Sequence, residues 1–342
     1  MAAIVVVIFH FMEIIIPDFS VNFISHGYLA VDFFFCLSGF VVAYAYDNRI
    51  AGMGLKTFFK IRLIRLQPLV VIGSVLGLLT FLFDPYADLY AVYGFKETAM
   101  LFITSSLLIP YPVVSERYYN LFNLNAPSWS LFWEYVANFL YAVLLYKATK
   151  NVLKVLVVLA AVGLFLLGWN TGNLLGGWSG GTFFEGLARI SFSFLVGMVI
   201  WRCNWIIKNK LGLLGLSVLL LLAFLAPHND QWNGLVDPVI VVFYFPLLVS
   251  LGAGATLDDR WYKINKFSED ISYPLYMTHY SFLWVFAGYV TVEEPSMATL
   301  SWVIPICVVL LIGLAYVVAI GLDFPIRHYF TNKLEANSSQ SK

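Results

Sequence analysis

The sequence predicts an all-α, polytopic membrane protein of about ten transmembrane helices, with an additional re-entrant or interfacial helix near 98–110. Three observations carry this prediction. Of 342 residues, 61% are hydrophobic and 12% charged, about half the charged fraction of an ordinary soluble domain. The mean hydropathy is +0.82. The rare charges are also sorted along the chain in the manner of a topology signal.

A bilayer core about 30 Å thick requires roughly 20 apolar residues per crossing helix. Runs at 2–16, 27–45, 68–83, 129–146, 152–168, 183–201, 211–227, 238–257, 271–290 and 299–321 meet or approach that length. The first run has no basic segment before it and no small-x-small cleavage site, and it carries His10 and Glu13. It therefore reads as a retained helix rather than a signal peptide. The run 98–110 is shorter than a span and interrupts the polar stretch 84–128, which suits a helix that does not cross. Residues 1–330 read as a single membrane domain. Residues 331–342, ending in EANSSQSK, read as a disordered cytoplasmic tail.

With both termini in the cytoplasm, seventeen of the twenty basic residues fall on the inner side. The densest group, in the first inner loop, is Arg49, Lys56, Lys60, Arg62 and Arg65; Lys96 and Arg117 lie outside, and Arg189 lies within a span. Acidic residues show no such bias, as the positive-inside rule expects. If 98–110 crossed the membrane, Lys147, Lys150 and Lys154 would be placed outside, which argues for a non-crossing helix.

A net charge of zero excludes a general nucleic-acid binder. Cys36, Cys203 and Cys307 lie in or beside apolar runs without CxxC spacing, and read as small buried hydrophobes rather than disulfide partners or metal ligands. There is no GxSxG elbow, HExxH site or GxxxxGK[ST] loop. The informative residues are ionisable groups at membrane depth, which usually face a protein interior or cavity. His10 and Glu13 share a helix face. Glu185 and Arg189, four apart, are expected to neutralise each other as a buried pair. Tyr273, Tyr276 and His279 form a polar stripe on one span.

Several segments, in order, resemble the acyltransferase-3 family of bacterial integral-membrane O-acyltransferases. MAAIVVVIFHF (1–11) is similar to its first helix, and GYLAVDFFFCLSGFVVAY (27–44) to its G-x-x-x-VD-x-FF-x-x-SGF motif. FFKIRLIRLQP (58–68), APSWSLFWEYVANFLY (126–141), RISFSFLVG (189–197) and ISYPLYMTH (271–279) resemble further family segments. The family pattern also places an arginine eleven residues before the histidine. Here that position precedes Met1, so Met1 is expected to be an internal methionine of a longer reading frame, or the chain to be truncated.

The resemblance implies transfer of an acyl group, usually acetyl, from cytoplasmic acyl-CoA to a hydroxyl of a sugar in an exported or cell-surface glycan. The expected location is the bacterial inner membrane, and no bound cofactor or metal is expected. His10 is then the expected base or nucleophile, because imidazole titrates near neutrality, with Glu134 orienting it. Lys60, Arg62 and Arg65 are expected to hold the CoA phosphates, and Ser38–Gly39 to admit the pantetheine arm or a close helix approach. Asp32, Trp129, Ser130, Tyr273, Tyr276 and His279 are expected to bind or orient the acceptor, which is a free or lipid-linked carbohydrate. The competing readings are a transporter or flippase of a polar solute and a CoA-binding sensor without turnover.

Overall fold

The computed structural model describes residues 1–256 and 259–340, and those residues contain no β-strand. The helices in chain order are α1 (Ala2–Ile15), α2 (Ala30–Tyr46), α3 (Ile50–Met53), α4 (Leu55–Leu82), α5 (Leu89–Ser106), α6 (Ser128–Val143), α7 (Lys150–Thr171), α8 (Phe183–Arg202), α9 (Gly212–Phe224), α10 (Asn233–Val239), α11 (Phe245–Gly254), α12 (Tyr262–Thr278), α13 (Tyr280–Glu293), α14 (Met297–Val318) and α15 (Phe324–Gln340). Local chemistry sets several of their ends. The Asp88, Thr149 and Ser296 side chains accept the first free amides of α5, α7 and α14. Gly172 closes α7 in the left-handed region at φ 80°.

Helices occupy all ten expected runs, although residue 257, the end of the run 238–257, lies outside the described residues. Six segments among the described residues are long and apolar enough to cross a membrane: Gly27–Tyr46, Leu55–Leu82, Lys150–Thr171, Gly180–Arg202, Asn233–Gly254 and Met297–Ala336. The chain is thus a helical polytopic membrane protein, but the count of ten is not reached by this measure. The reason is local: α1 has 14 residues and α9 has 13, and the run 271–290 is divided at His279 between α12 and α13. Helix α4 starts at Leu55, so Lys56, Lys60, Arg62 and Arg65 lie on its first turns and not in a loop. Helix α5 begins well before residue 98 and kinks at Gly94, whose φ is 69°.

The chain forms two compact units. The first comprises Met1–Met53 and Trp129–Lys266. Its core pairs α2 with α8 side by side and parallel. A Cβ on Gly39 would lie 2.0 Å from the Phe194 carbonyl oxygen, and one on Gly197 would lie 2.1 Å from that of Cys36. Two glycines thus let the backbones touch, the small-residue packing that membrane helices use in the absence of a hydrophobic drive. Gly168 and Gly234 do the same for α7 and α10, each within 2.4 Å of the other's carbonyl oxygen once a Cβ is added.

The second unit comprises Gly54–Ser128 and Phe267 onward. Phe81, Leu89, Leu101, Val114 and Leu124 form a buried cluster linking α4, α5 and the segment after it. Helix α15 runs to Gln340, so residues 331–340 are helical where a disordered tail was expected. Asn332–Ala336, with Lys, Leu, Glu and Ala, are mostly good helix formers. Ser341 and Lys342 lie outside the described residues.

Candidate functional site

The expected site residues fall in both units, and each set is described within its own. In unit 1, His10 projects from α1 one turn before Glu13, and its Nδ1 meets Glu13 Oε1 at 2.5 Å. Both side chains are partly exposed, 20% and 24%. A carboxylate on this imidazole is thus that of Glu13. Glu134, on α6, accepts from the Ser38 hydroxyl at 2.8 Å. That contact joins α2 to α6 and ties together two residues expected in different roles. Gly39 serves the close approach of α2 to α8. Trp129 and Ser130 are buried in the first turn of α6.

Asp32 is engaged elsewhere. The Arg189 guanidinium donates from Nε to both of its carboxylate oxygens at 3.2 Å and from Nη2 to Oδ2 at 2.6 Å. It also donates to the Gly176 and Tyr28 carbonyls, at 2.7 and 3.0 Å, and lies 5.1 Å from the Trp129 ring centroid. The expected Glu185–Arg189 pair is thus replaced by Asp32–Arg189. Glu185 turns toward Gly176, where an added Cβ would lie 1.8 Å from its carboxylate. Asp32 and Trp129 belong to a buried clasp on Arg189. A forked cation needs a bidentate partner and further acceptors when it is buried, and α2 with the 175–176 turn supplies both.

Two networks in this unit were not anticipated. Arg202, at the end of α8, binds Asp47 through Nε and Nη2 at 2.7 and 2.8 Å, and Tyr141 donates to the same carboxylate at 2.9 Å. The buried Asp237 accepts from Tyr28 at 2.6 Å, from the Leu174 amide at 2.8 Å, and pairs with His26 Nδ1 at 2.9 Å. No short-range spacing announces either network. One available clue was the similar spacing of the acids Asp32 and Asp47, fifteen apart, and the arginines Arg189 and Arg202, thirteen apart.

In unit 2, Arg62 is buried while Lys60 and Arg65 are exposed, so the basic triad does not present one continuous solvent face. Arg65 lies within electrostatic range of the buried Asp323. Tyr273 donates to the Leu66 carbonyl at 2.7 Å, which places it on α4 beside Arg65. His279 is buried at the break between α12 and α13. Its Nδ1 donates back to the Leu275 carbonyl at 2.9 Å, and its ring packs on Tyr276 and Tyr280. Asn125 accounts for the break's loose carbonyl by donating to Met277 at 3.0 Å. The stripe therefore marks a broken helix rather than the middle of a continuous one.

Outside the spans, Tyr93 donates to Glu116 at 2.6 Å and holds that carboxyl below its ordinary range. Burial lowers the Arg117 guanidinium to about 10.

"Protein 2 in picA locus" from Rhizobium radiobacter is 40% identical over 152 residues, covering 40% of this chain and 77% of that protein. No solved structure matches. The family model for the acyltransferase-3 type of acyltransferase domain matches residues 1–320, and the chain therefore belongs to the acyltransferase-3 family.

Proposed function

We propose that this protein is a bacterial inner-membrane O-acyltransferase, crossing about ten times with both termini cytoplasmic. It moves an acetyl group from cytoplasmic acetyl-CoA to a sugar hydroxyl of an exported or cell-surface glycan. The observation that carries the reading is the His10–Glu13 contact in a chain of an acyltransferase family. With Nδ1 held by a carboxylate, imidazole Nε2 is the proton acceptor, the arrangement that makes histidine an effective base. The acceptor oxygen attacks the thioester carbonyl as its proton passes to Nε2. The carbon–sulfur bond then breaks, and the departing thiolate of CoA takes the proton. Glu13 fixes the tautomer and stabilises the transient imidazolium. In this reading Glu134 and Ser38 line the same helical core. Lys60, Arg62 and Arg65 attract the CoA phosphates, and the aromatic stretch 84–128 meets the carbohydrate.

The test is acetyl incorporation into surface polysaccharide in cells carrying His10→Ala beside wild type, followed by mass spectrometry of the glycan. Loss of acetylation with normal protein level supports the reading, and unchanged acetylation refutes His10 as the catalyst. One observation favours a transporter or flippase instead: the helix broken at the buried His279 is a feature of solute pathways. Thiol release from acetyl-CoA by the purified protein separates the alternatives. A transporter releases none, and a sensor binds CoA without releasing thiol.

A further inference from the structure

Unit 2 contains a guanidinium that is buried with, among the described residues, no acid against it. Arg117 is 2% exposed and lies between two rings, 5.0 Å from the Phe81 centroid and 5.1 Å from that of Trp284. Its Nη1 donates to the Asn123 carbonyl. Among the described residues its Nη2 has no hydrogen-bond partner, nor has Trp284 Nε1, and both atoms are closed to solvent. Asp84 contributes only attraction at a distance, and its Oδ1 accepts from the Tyr86 amide at 3.0 Å. The contrast with Arg189 and Arg202 is direct, since each of those grips a carboxylate with two nitrogens.

A buried cation without a counter-charge is costly, and so is a buried N–H without an acceptor. Here both occur within one stacked Arg117–Trp284 contact, and both are donors. They fit an oxygen bearing lone pairs and negative charge, and they repel a cation. The two residues that follow Arg117 are Tyr118 and Tyr119, 69% and 55% exposed. Both are held in the left-handed region, at φ 54° and 52°, where non-glycine residues are uncommon. Exposed aromatic faces of this kind suit the apolar face of a sugar ring.

We propose that Arg117 and Trp284 form an oxyanion subsite that takes the carboxylate or phosphate group of an acidic sugar acceptor, with Tyr118 and Tyr119 against the ring. The proposal rests on the acyltransferase reading for its word "acceptor", but the binding itself does not. Because both donors are covered, entry requires the turn Ser115–Arg117 to lift.

The experiment is calorimetric titration of the full chain in non-ionic detergent, without CoA, using methyl glucuronide, glucose 6-phosphate, inorganic phosphate and methyl glucoside as probes. At least one anion is expected to bind saturably, with no binding of the neutral glucoside. The glucuronide and phosphate arms tell a carboxylate site from a phosphate site. Arg117→Gln and Trp284→Phe are each expected to weaken that binding, the former at least about tenfold. Arg117→Lys, which keeps the charge, is expected to retain part of it. Thermal unfolding of each variant is followed in parallel, and Arg117→Lys decides the case if Arg117→Gln does not fold. The proposal is overturned if wild type binds no anion, if the glucoside binds equally, or if the folded Arg117 variants bind as wild type does. Thiol release from acetyl-CoA is scored on the same preparation. Its loss with anion binding intact refutes the acyltransferase reading alone, and the reverse refutes the subsite alone.

Discussion

Arg189 on α8 grips Asp32 on α2 across 157 residues of sequence, with two nitrogens on one carboxylate. The side chains are 1% and 0% exposed. Thirteen residues further along α8, Arg202 repeats the arrangement on Asp47, just past the end of α2. The two clasps pin parallel helices at both ends, with Gly39 and Gly197 bringing the backbones together between them.

Removing one partner of the inner pair strands the other as a buried charge. Asp32→Asn or Arg189→Met alone is expected to cost about 3–5 kcal/mol of stability. The double substitution Asp32→Leu with Arg189→Met is expected to cost less than either, because no charge remains to desolvate. Thermal unfolding in detergent, monitored by size-exclusion fluorescence, measures all three. A double variant as unstable as the sum of the singles would refute the buried-pair account.

The close approach between α2 and α8 predicts intolerance of even one methyl group. Gly39→Ala and Gly197→Ala each place a carbon about 2 Å from a backbone oxygen, so the helices must move apart. A loss of about 1–3 kcal/mol is expected for each, whereas Gly163→Ala, which meets nothing within 4 Å, is expected to be tolerated. The same unfolding measurement compares them.

His10 and Glu13 predict a split in kinetics. His10→Ala should abolish thiol release and acetyl transfer. Glu13→Gln should lower kcat by about tenfold to ten-thousandfold with little change in the KM for acetyl-CoA. A Glu13→Gln enzyme with wild-type kcat would limit that carboxylate to helix packing.

The Tyr93–Glu116 contact makes the outer segment sensitive to acid. The Tyr93 hydroxyl holds the Glu116 carboxyl below its unfolded value. The stabilisation is therefore complete above the unfolded pKa and is lost as pH falls through the lower folded one. Hydrogen-exchange protection across 89–117 is expected to fall between about pH 5 and pH 3. Tyr93→Phe should flatten that dependence. Equal protection at both pH values in wild type would refute it.

Arg62 and Arg65 separate two roles for the basic turns of α4. Arg65→Ala, at an exposed position, is expected to weaken CoA binding about tenfold or more without loss of fold. Arg62→Ala, at a buried position, is expected to lower stability as well. Calorimetric titration with CoA together with thermal unfolding tells these effects apart; unchanged CoA affinity in Arg65→Ala would confine that residue to topology.

Much of this was legible before any coordinates. Apolar runs located the helices because helix formation in lipid is a local requirement, met by each segment's own backbone. The ordered motifs identified the family. His10 and Glu13 were legible as neighbours because i, i+3 geometry follows from the helix itself. The same local rule failed for Glu185 and Arg189, four apart, because Asp32 offered Arg189 a two-pronged partner from another helix. It also could not reveal that α12 stops before His279, since the carbonyl freed at Met277 is satisfied by Asn125, 152 residues away.

The sequence by itself determined the helical class, the apolar segments, the sorting of charge along them and the family. Only the tertiary structure decided which carboxylates Arg189 and Arg202 hold, that Glu134 meets Ser38, and that Arg117 is buried with, among the described residues, no acid against it. Composition and periodicity act within a few residues of themselves, whereas a buried charge is settled by whichever distant groups the packed helices bring to it.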